Sequence, residues 1–271
     1  MDNTTTPFLH NGNIGDAIAA LPAINEYYNL SGKKAILYLE KDQKAKYYAG
    51  ATHPTLDKAG NMVMLNQKMI DMMIPLFKAQ ESIEDCCTWE GELIGIDLTK
   101  IRTAGIDTSK GCLSRWYFWV FPDIACDLSK KWLTVPETET NFAKGKILVS
   151  RSERYLNEHI SYTFLKKYEG EIKFIGTDLE YNIFKLRFGL NIEHLIVNDF
   201  LELAQAINQC RFHISNQTMA FQISQGLKKP RILEMCSWAN NVIPIGEDAY
   251  DFLAQKGLEF YVDKLYKKSS G

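Results

Sequence analysis

The feature that most constrains this chain is a unit repeated through its second half: a short apolar run, a glycine or small polar turn, then a stretch of helical period. The runs are Lys146–Ser150, Ile172–Gly176, Leu195–Val197, Phe212–Ser215 and Arg231–Glu234. Runs this short and this apolar, set between amphipathic segments, belong to strands buried on both faces, as in a parallel sheet with crossover helices. Asp199 stands where the helix holding Leu201, Leu203, Ala204 and Ile207 needs an N-cap.

The first half carries the same rhythm less regularly. Pro7–His10 reads as a strand running into a glycine-bearing turn, followed by a helix with Ile18, Leu21, Ile24 and Tyr28 inward. Pro22 lies inside that helix and is expected to kink it. Lys34–Leu39 and Ile94–Leu98 are further strands. The methionines between 61 and 80 fall mostly at helical spacing and read as core filler. The aromatic run Trp116–Phe121 reads as a helix packed on the sheet or on the domain junction, with a platform for a sugar as the alternative.

Between about Ser129 and Lys144 the chain is polar, carries Pro136 and shows neither period. With 271 residues, and roughly 100–200 per domain as a prior, two domains are expected, 1–138 and 139–271. A helical tail is expected from Ala249 to Lys256 with another piece to Lys268, the last helix free to pack back on the first domain.

A net charge of −2 gives no bulk attraction for nucleic acid, which excludes a broadly basic binding module. No run reaches the ~20 apolar residues of a membrane span, and Met1–Thr6 lacks the basic and apolar start of a signal peptide, so a cytoplasmic protein is expected, with contact at a membrane surface left open. The six cysteines form no CxxC pair and read as small buried hydrophobes; no metal site is expected.

In open parallel sheets ligands bind beyond the carboxyl ends of the strands, and four such ends carry unusual residues. In the first loop, Gly12, Asn13 and Gly15 let backbone approach a ligand ahead of a helix N-terminus, and Asp16 could take a proton from a hydroxyl or simply cap the helix. Arg151 and Arg154 could converge on a phosphate or pair with Glu153 and Glu158. Gly176 and Thr177 open a turn from which Glu180 could grip ribose hydroxyls or remain a solvated first-turn glutamate. Asn216, Gln217 and Thr218 could meet a phosphate at a helix start or serve as its cap.

The stretch from Ile14-Gly15-Asp16 to Leu21-Pro22-Ala23-Ile24 resembles the opening of the ADP-heptose heptosyltransferase family. Phe174–Glu180 and the block from Ala204 through Ile214 to Pro230 resemble later motifs of that family, in order. The resemblance implies a GT-B fold, in which two Rossmann-like α/β/α domains enclose a cleft, and an inverting, metal-independent glycosyltransferase that needs no cofactor beyond its nucleoside-diphosphate-sugar donor. It implies Asp16 as the base and Glu180 as the ribose ligand. The family's aspartate-serine-glycine turn falls on Gln217-Thr218-Met219 and its histidine on Gln222, so only the hydroxyl is kept, at Thr218. Those departures motivate an alternative, a GT-B-like protein that binds a nucleotide, sugar phosphate or partner without turnover.

Overall fold

The structure, a computed structural model, describes residues 4–45 and 55–269. Two all-parallel sheets divide the chain. The first is built from β1 (Thr5–His10), β2 (Lys34–Leu39), β3 (Ile83–Thr88) and β4 (Ile96–Asp97), in the order β3-β2-β1-β4. Its helices are α1 (Ile14–Ser31), α2 (Gln67–Lys78) and α3 (Leu113–Val120). No helix or regular strand occupies residues 125–146, where the polar, proline-bearing sequence offers neither period.

The second sheet follows with β5 (Ile147–Ser150), β6 (Ile172–Ile175), β7 (Glu193–Leu195), β8 (Phe212–Asn216), β9 (Arg231–Glu234) and β10 (Ala249–Phe252). Its order is β10-β9-β8-β5-β6-β7. The crossovers are α4 (Asp178–Phe188), α5 (Phe200–Gln209) and α6 (Met219–Leu227), and α7 (Gln255–Lys268) closes the described chain. Strands β5, β8 and β9 are buried along their whole length, as their apolar runs require.

Three expectations need correction. Ala249–Phe252 is strand β10, not helix: it pairs in register with β9, from Ala249↔Arg231 to Phe252↔Glu234. Alpha-7 packs on β9 and β10 through Leu258, Val262 and Leu265, and not on the first half. Alpha-1 runs through Pro22 without a break, because Ala17 to Ile24 are buried on every side and that packing outweighs one lost hydrogen bond.

The two halves share a core. One apolar cluster joins Ala17, Ala20 and Ile24 of α1 with Ala220, Ile223 and Leu227 of α6, and Ile70 and Met73 of α2 with Leu203 and Ile207 of α5. Alpha-1 packs against α6 and α2 against α5. Small side chains on α1 allow that approach: a β-carbon on Gly15 would stand 3.7 Å from the Cα of Met219. The N-termini of α1 and α6, one from each half, therefore meet.

Candidate functional site

The loop after β1 is built around Asp16. Asn13 caps α1, and the Asp16 carboxylate reaches back to accept the Asn13 amide at 3.2 Å, forming a reciprocal capping box. The same oxygen, Oδ2, accepts a hydrogen bond and ion pair from Arg102, at the end of the 3-10 turn Leu98–Arg102. Gly12 is fixed by this arrangement: a β-carbon there would lie 2.7 Å from Asp16 Oδ2, 2.8 Å from His10 Cε1 and 2.9 Å from Arg102 Nη2.

Beneath the loop runs a buried polar chain. The Gly12 amide donates to His10 Nδ1 at 3.1 Å, which leaves the ring proton on Nε2. Nε2 then donates to the Tyr117 hydroxyl at 2.8 Å, and that hydroxyl donates to the Asp16 carbonyl at 3.0 Å. Burial, with the Arg102 charge, holds the His10 imidazolium down to a pKa of about 3, so the ring is neutral and works as a strut. Burial also raises the Asp16 carboxyl above its ordinary range, opposed by the Arg102 charge, the Asn13 amide and the Arg154 charge. A carboxylate raised in this way is a stronger base than a solvated one.

Arg154 brings the second half to the same place, since its charge is felt at Asp16. The loop that carries it is held by Asn216, at the end of β8. Asn216 Nδ2 donates to the carbonyls of Ser152 at 2.9 Å and Arg154 at 2.6 Å, and its Oδ1 accepts the Ser152 amide at 3.0 Å. Gln217 does the same for residues 236–241: it accepts the Cys236 amide at 2.8 Å, and its Nε2 donates to Asn241 Oδ1 at 3.0 Å and to the Ala239 carbonyl. Thr218 caps α6, and its hydroxyl is within 2.9 Å of that of Ser215. Gln222 sits in the first half of α6, only 5% exposed.

Several of the anticipated ligands have partners within the protein. Arg151 is buried, and its Nε and Nη2 donate to the two oxygens of buried Glu234 at 2.7 and 2.9 Å. A cation so deep needs such a partner, and one 83 residues away was not visible in the sequence. Asn216 and Gln217 turn out to be loop clamps. Glu180 closes a capping box with Thr177, accepting its amide at 2.9 Å and its hydroxyl at 3.0 Å, with Gly176 fitted closely below. Sequence reading missed Arg102, His10 and Tyr117. Only His10, a polar residue ending a strand, carried a signal.

The site gathers two helix N-termini and the Arg102 guanidinium around one carboxylate, where the charge of Arg154 is also felt. Helix starts carry partial positive charge, so the surroundings favour an anion, and Asp16 offers it a neighbouring proton acceptor. Among the described residues no group of three or more histidine, cysteine or acidic side chains could hold a metal ion.

No protein-family model and no curated sequence matches the chain. Solved structures do. E. coli heptosyltransferase WaaC with ADP superposes with a TM-score of 0.60 at 11% identity, covering 96% of this chain and 99% of that one. The fold is GT-B. E. coli ADP-heptose lipopolysaccharide heptosyltransferase II shares it with a TM-score of 0.56 at 9% identity, over 98% of this chain and 100% of the other. So does the family 9 glycosyl transferase of Veillonella parvula, at 0.51 and 10% identity, over 99% and 91%. In this fold Asp16 stands at the inter-sheet junction, on the side where the strands of both sheets end.

Proposed function

We propose that this chain is an inverting glycosyltransferase, moving a sugar from a nucleoside-diphosphate sugar to an acceptor hydroxyl, with Asp16 as general base. The observation that carries this reading is one buried carboxylate, its pKa raised by burial, beside two helix N-termini and paired with Arg102, in a GT-B fold. Asp16 takes the proton of the acceptor hydroxyl as its oxygen bonds to the anomeric carbon. The bond from that carbon to the diphosphate breaks, and its electron pair leaves with the phosphate. On this reading the start of α6, the Thr218 hydroxyl and Arg154 would meet that charge. The similar E. coli heptosyltransferase WaaC is known with ADP and with ADP-2-deoxy-2-fluoro heptose, which supports a nucleotide-bearing donor.

One observation favours binding without turnover: Arg102 already occupies Asp16. On the catalytic reading, the acceptor must share or displace that contact.

Thermal melts with ADP-, GDP-, UDP-, CMP- and dTDP-sugars, followed by transfer assays on Asp16→Asn, separate the two. A ligand specific for the folded state raises the melting temperature. Catalysis predicts that D16N binds the donor and transfers nothing. Unchanged transfer by D16N removes Asp16 from the role, and a donor bound by wild type but never transferred to any of a panel of sugar acceptors favours the binding reading.

A further inference from the structure

One residue past the carboxyl ends of β1, β2 and β3 stand Asn11, Glu40 and Trp89. The sheet carries them into one row, because Leu39 pairs with His10 on one side and with Thr88 on the other. Just beyond, the Glu40 amide donates to the His10 carbonyl at 2.9 Å and the Trp89 amide to the Leu39 carbonyl at 3.0 Å. Registered neighbours project to the same face of a sheet, and Asn11 Nδ2 accordingly donates to Glu40 Oε2 at 3.2 Å. Neighbouring strands lie about 4.8 Å apart, so the row extends about 10 Å from the loop that holds Asp16.

The row begins beside the carboxylate of Asp16, since Asn11 is followed by Gly12, the residue that Asp16, His10 and Arg102 enclose. Glu40 is half-buried, and among the described residues it has no cationic partner: its oxygens accept the neutral amides of Asn11 and, at 2.7 Å, Gln43. A carboxylate offers about four acceptor positions, so these two contacts leave room for a ligand's hydroxyls. Trp89 is half-buried as well and joins none of the apolar clusters of the described residues. Its indole N–H donates to the Glu92 carbonyl at 3.0 Å, which fixes the ring. The adjoining charges of Lys41 and Glu90 pair with each other at 3.1 Å, which leaves Glu40 as the charge in the row.

We infer that Asn11, Glu40 and Trp89 form the acceptor subsite, and that the acceptor they take is an uncharged sugar ring. This rests on the glycosyltransferase reading and goes further by naming the acceptor's place and class. In an inverting displacement the nucleophile enters opposite the leaving group. With the diphosphate at the start of α6, in the second half, the acceptor comes to Asp16 over the first half, where this row lies. A carboxylate accepts from ring hydroxyls and an amide both accepts and donates, while an indole covers the C–H patch of a pyranose. The same carboxylate repels a phosphate or carboxylate on the acceptor, which turns acidic sugars away.

The test titrates the full chain with the methyl glycosides of glucose, galactose and mannose, and with glucuronic acid as the anionic counterpart, by saturation-transfer NMR. Wild type should bind at least one methyl glycoside and not glucuronic acid. Glu40→Ala should weaken the glycoside by roughly tenfold, and Trp89→Leu by roughly threefold to tenfold. Glu40→Gln, which keeps the shape without the charge, should hold most of the glycoside affinity and admit glucuronic acid. A structural role alone would not change that choice between neutral and acidic sugars. Glycoside binding unchanged in E40A and W89L, glucuronic acid preferred by wild type, or no glycoside bound at all overturns the subsite. Nucleotide sugars that still raise the melting temperature then leave the transferase reading standing, and their failure removes both. Should E40A or W89L show no folded transition, E40Q decides through its gain of glucuronic acid, and the absence of that gain overturns the subsite.

Discussion

Glu234 offers the sharpest test of how the second half is held together. It is the last residue of β9, 0% exposed, and its two oxygens accept four hydrogen bonds. Oε2 takes Arg151 Nε at 2.7 Å and the Tyr162 hydroxyl at 2.7 Å; Oε1 takes Arg151 Nη2 at 2.9 Å and the Asn157 amide at 2.8 Å. Glu234→Gln keeps the shape but turns one oxygen into a donor, whichever way the amide rotates. Two buried donors then lose their acceptor, at about 1–3 kcal/mol each, and the Arg151 charge loses its counter-ion. Breaking a buried pair by neutralising one partner costs about 3–5 kcal/mol, and both routes lead to a similar total. At roughly 2–4 °C per kcal/mol for chains of this order of size, the melting temperature should fall by about 6–20 °C. Scanning fluorimetry and urea unfolding at neutral pH would measure it. A fall of less than about 2 °C would refute the claim that Arg151 is a structural cation neutralised by Glu234, and would return it to the list of ligand candidates.

Two further outcomes follow from the buried polar groups. His10 and His213 are both held neutral by burial, each down to a pKa of about 3, while the unfolded chain protonates them near the ordinary value of 6.5. The unfolded state therefore binds more protons across that interval, so stability is lost as pH falls from about 6.5 toward 3, by roughly 2–3 kcal/mol for the pair between pH 7 and 5.5; a urea midpoint that does not move over that range would contradict it. Tyr117→Phe removes the hydroxyl between His10 and the Asp16 carbonyl and should cost about 1–3 kcal/mol in urea unfolding, whereas a change below about 0.3 kcal/mol would mean the chain of donors is not formed.

Much of the fold was legible because buried parallel strands announce themselves: Ile147 to Ser150 and Phe212 to Asn216 have no other natural environment. Edge strands were harder. Beta-3 carries Glu84 and Asp85 and has a neighbour on one side only, so its sequence lacks the apolar run. Beta-10 is an edge strand of the second sheet, and Ala249-Tyr250-Asp251-Phe252 passes as the start of a helix until β9 is there to pair with it.

At the site, Asp16 could be picked out because glycines, a strand end and a helix start are all local. Arg102 could not, since it reaches Asp16 from 86 residues away. Asn216 and Gln217 were recognised as polar residues at a strand end, but whether such an amide faces a ligand or a loop depends on where distant segments fall. The loops around 152–155 and 236–241 decided that, and sequence spacing does not record it.

The apolar cluster that joins α1 to α6 and α2 to α5 has a mechanical consequence. Two-lobed transferases are commonly pictured as jaws that open on a hinge to admit substrate and close to exclude water. Here the jaws are welded. Parting the lobes would wet the alanine-rich face of α1 and the partners it meets on α6. A chain cut in the 129–144 connector would yield two fragments with an oily face each, and neither should be expected to stay in solution alone.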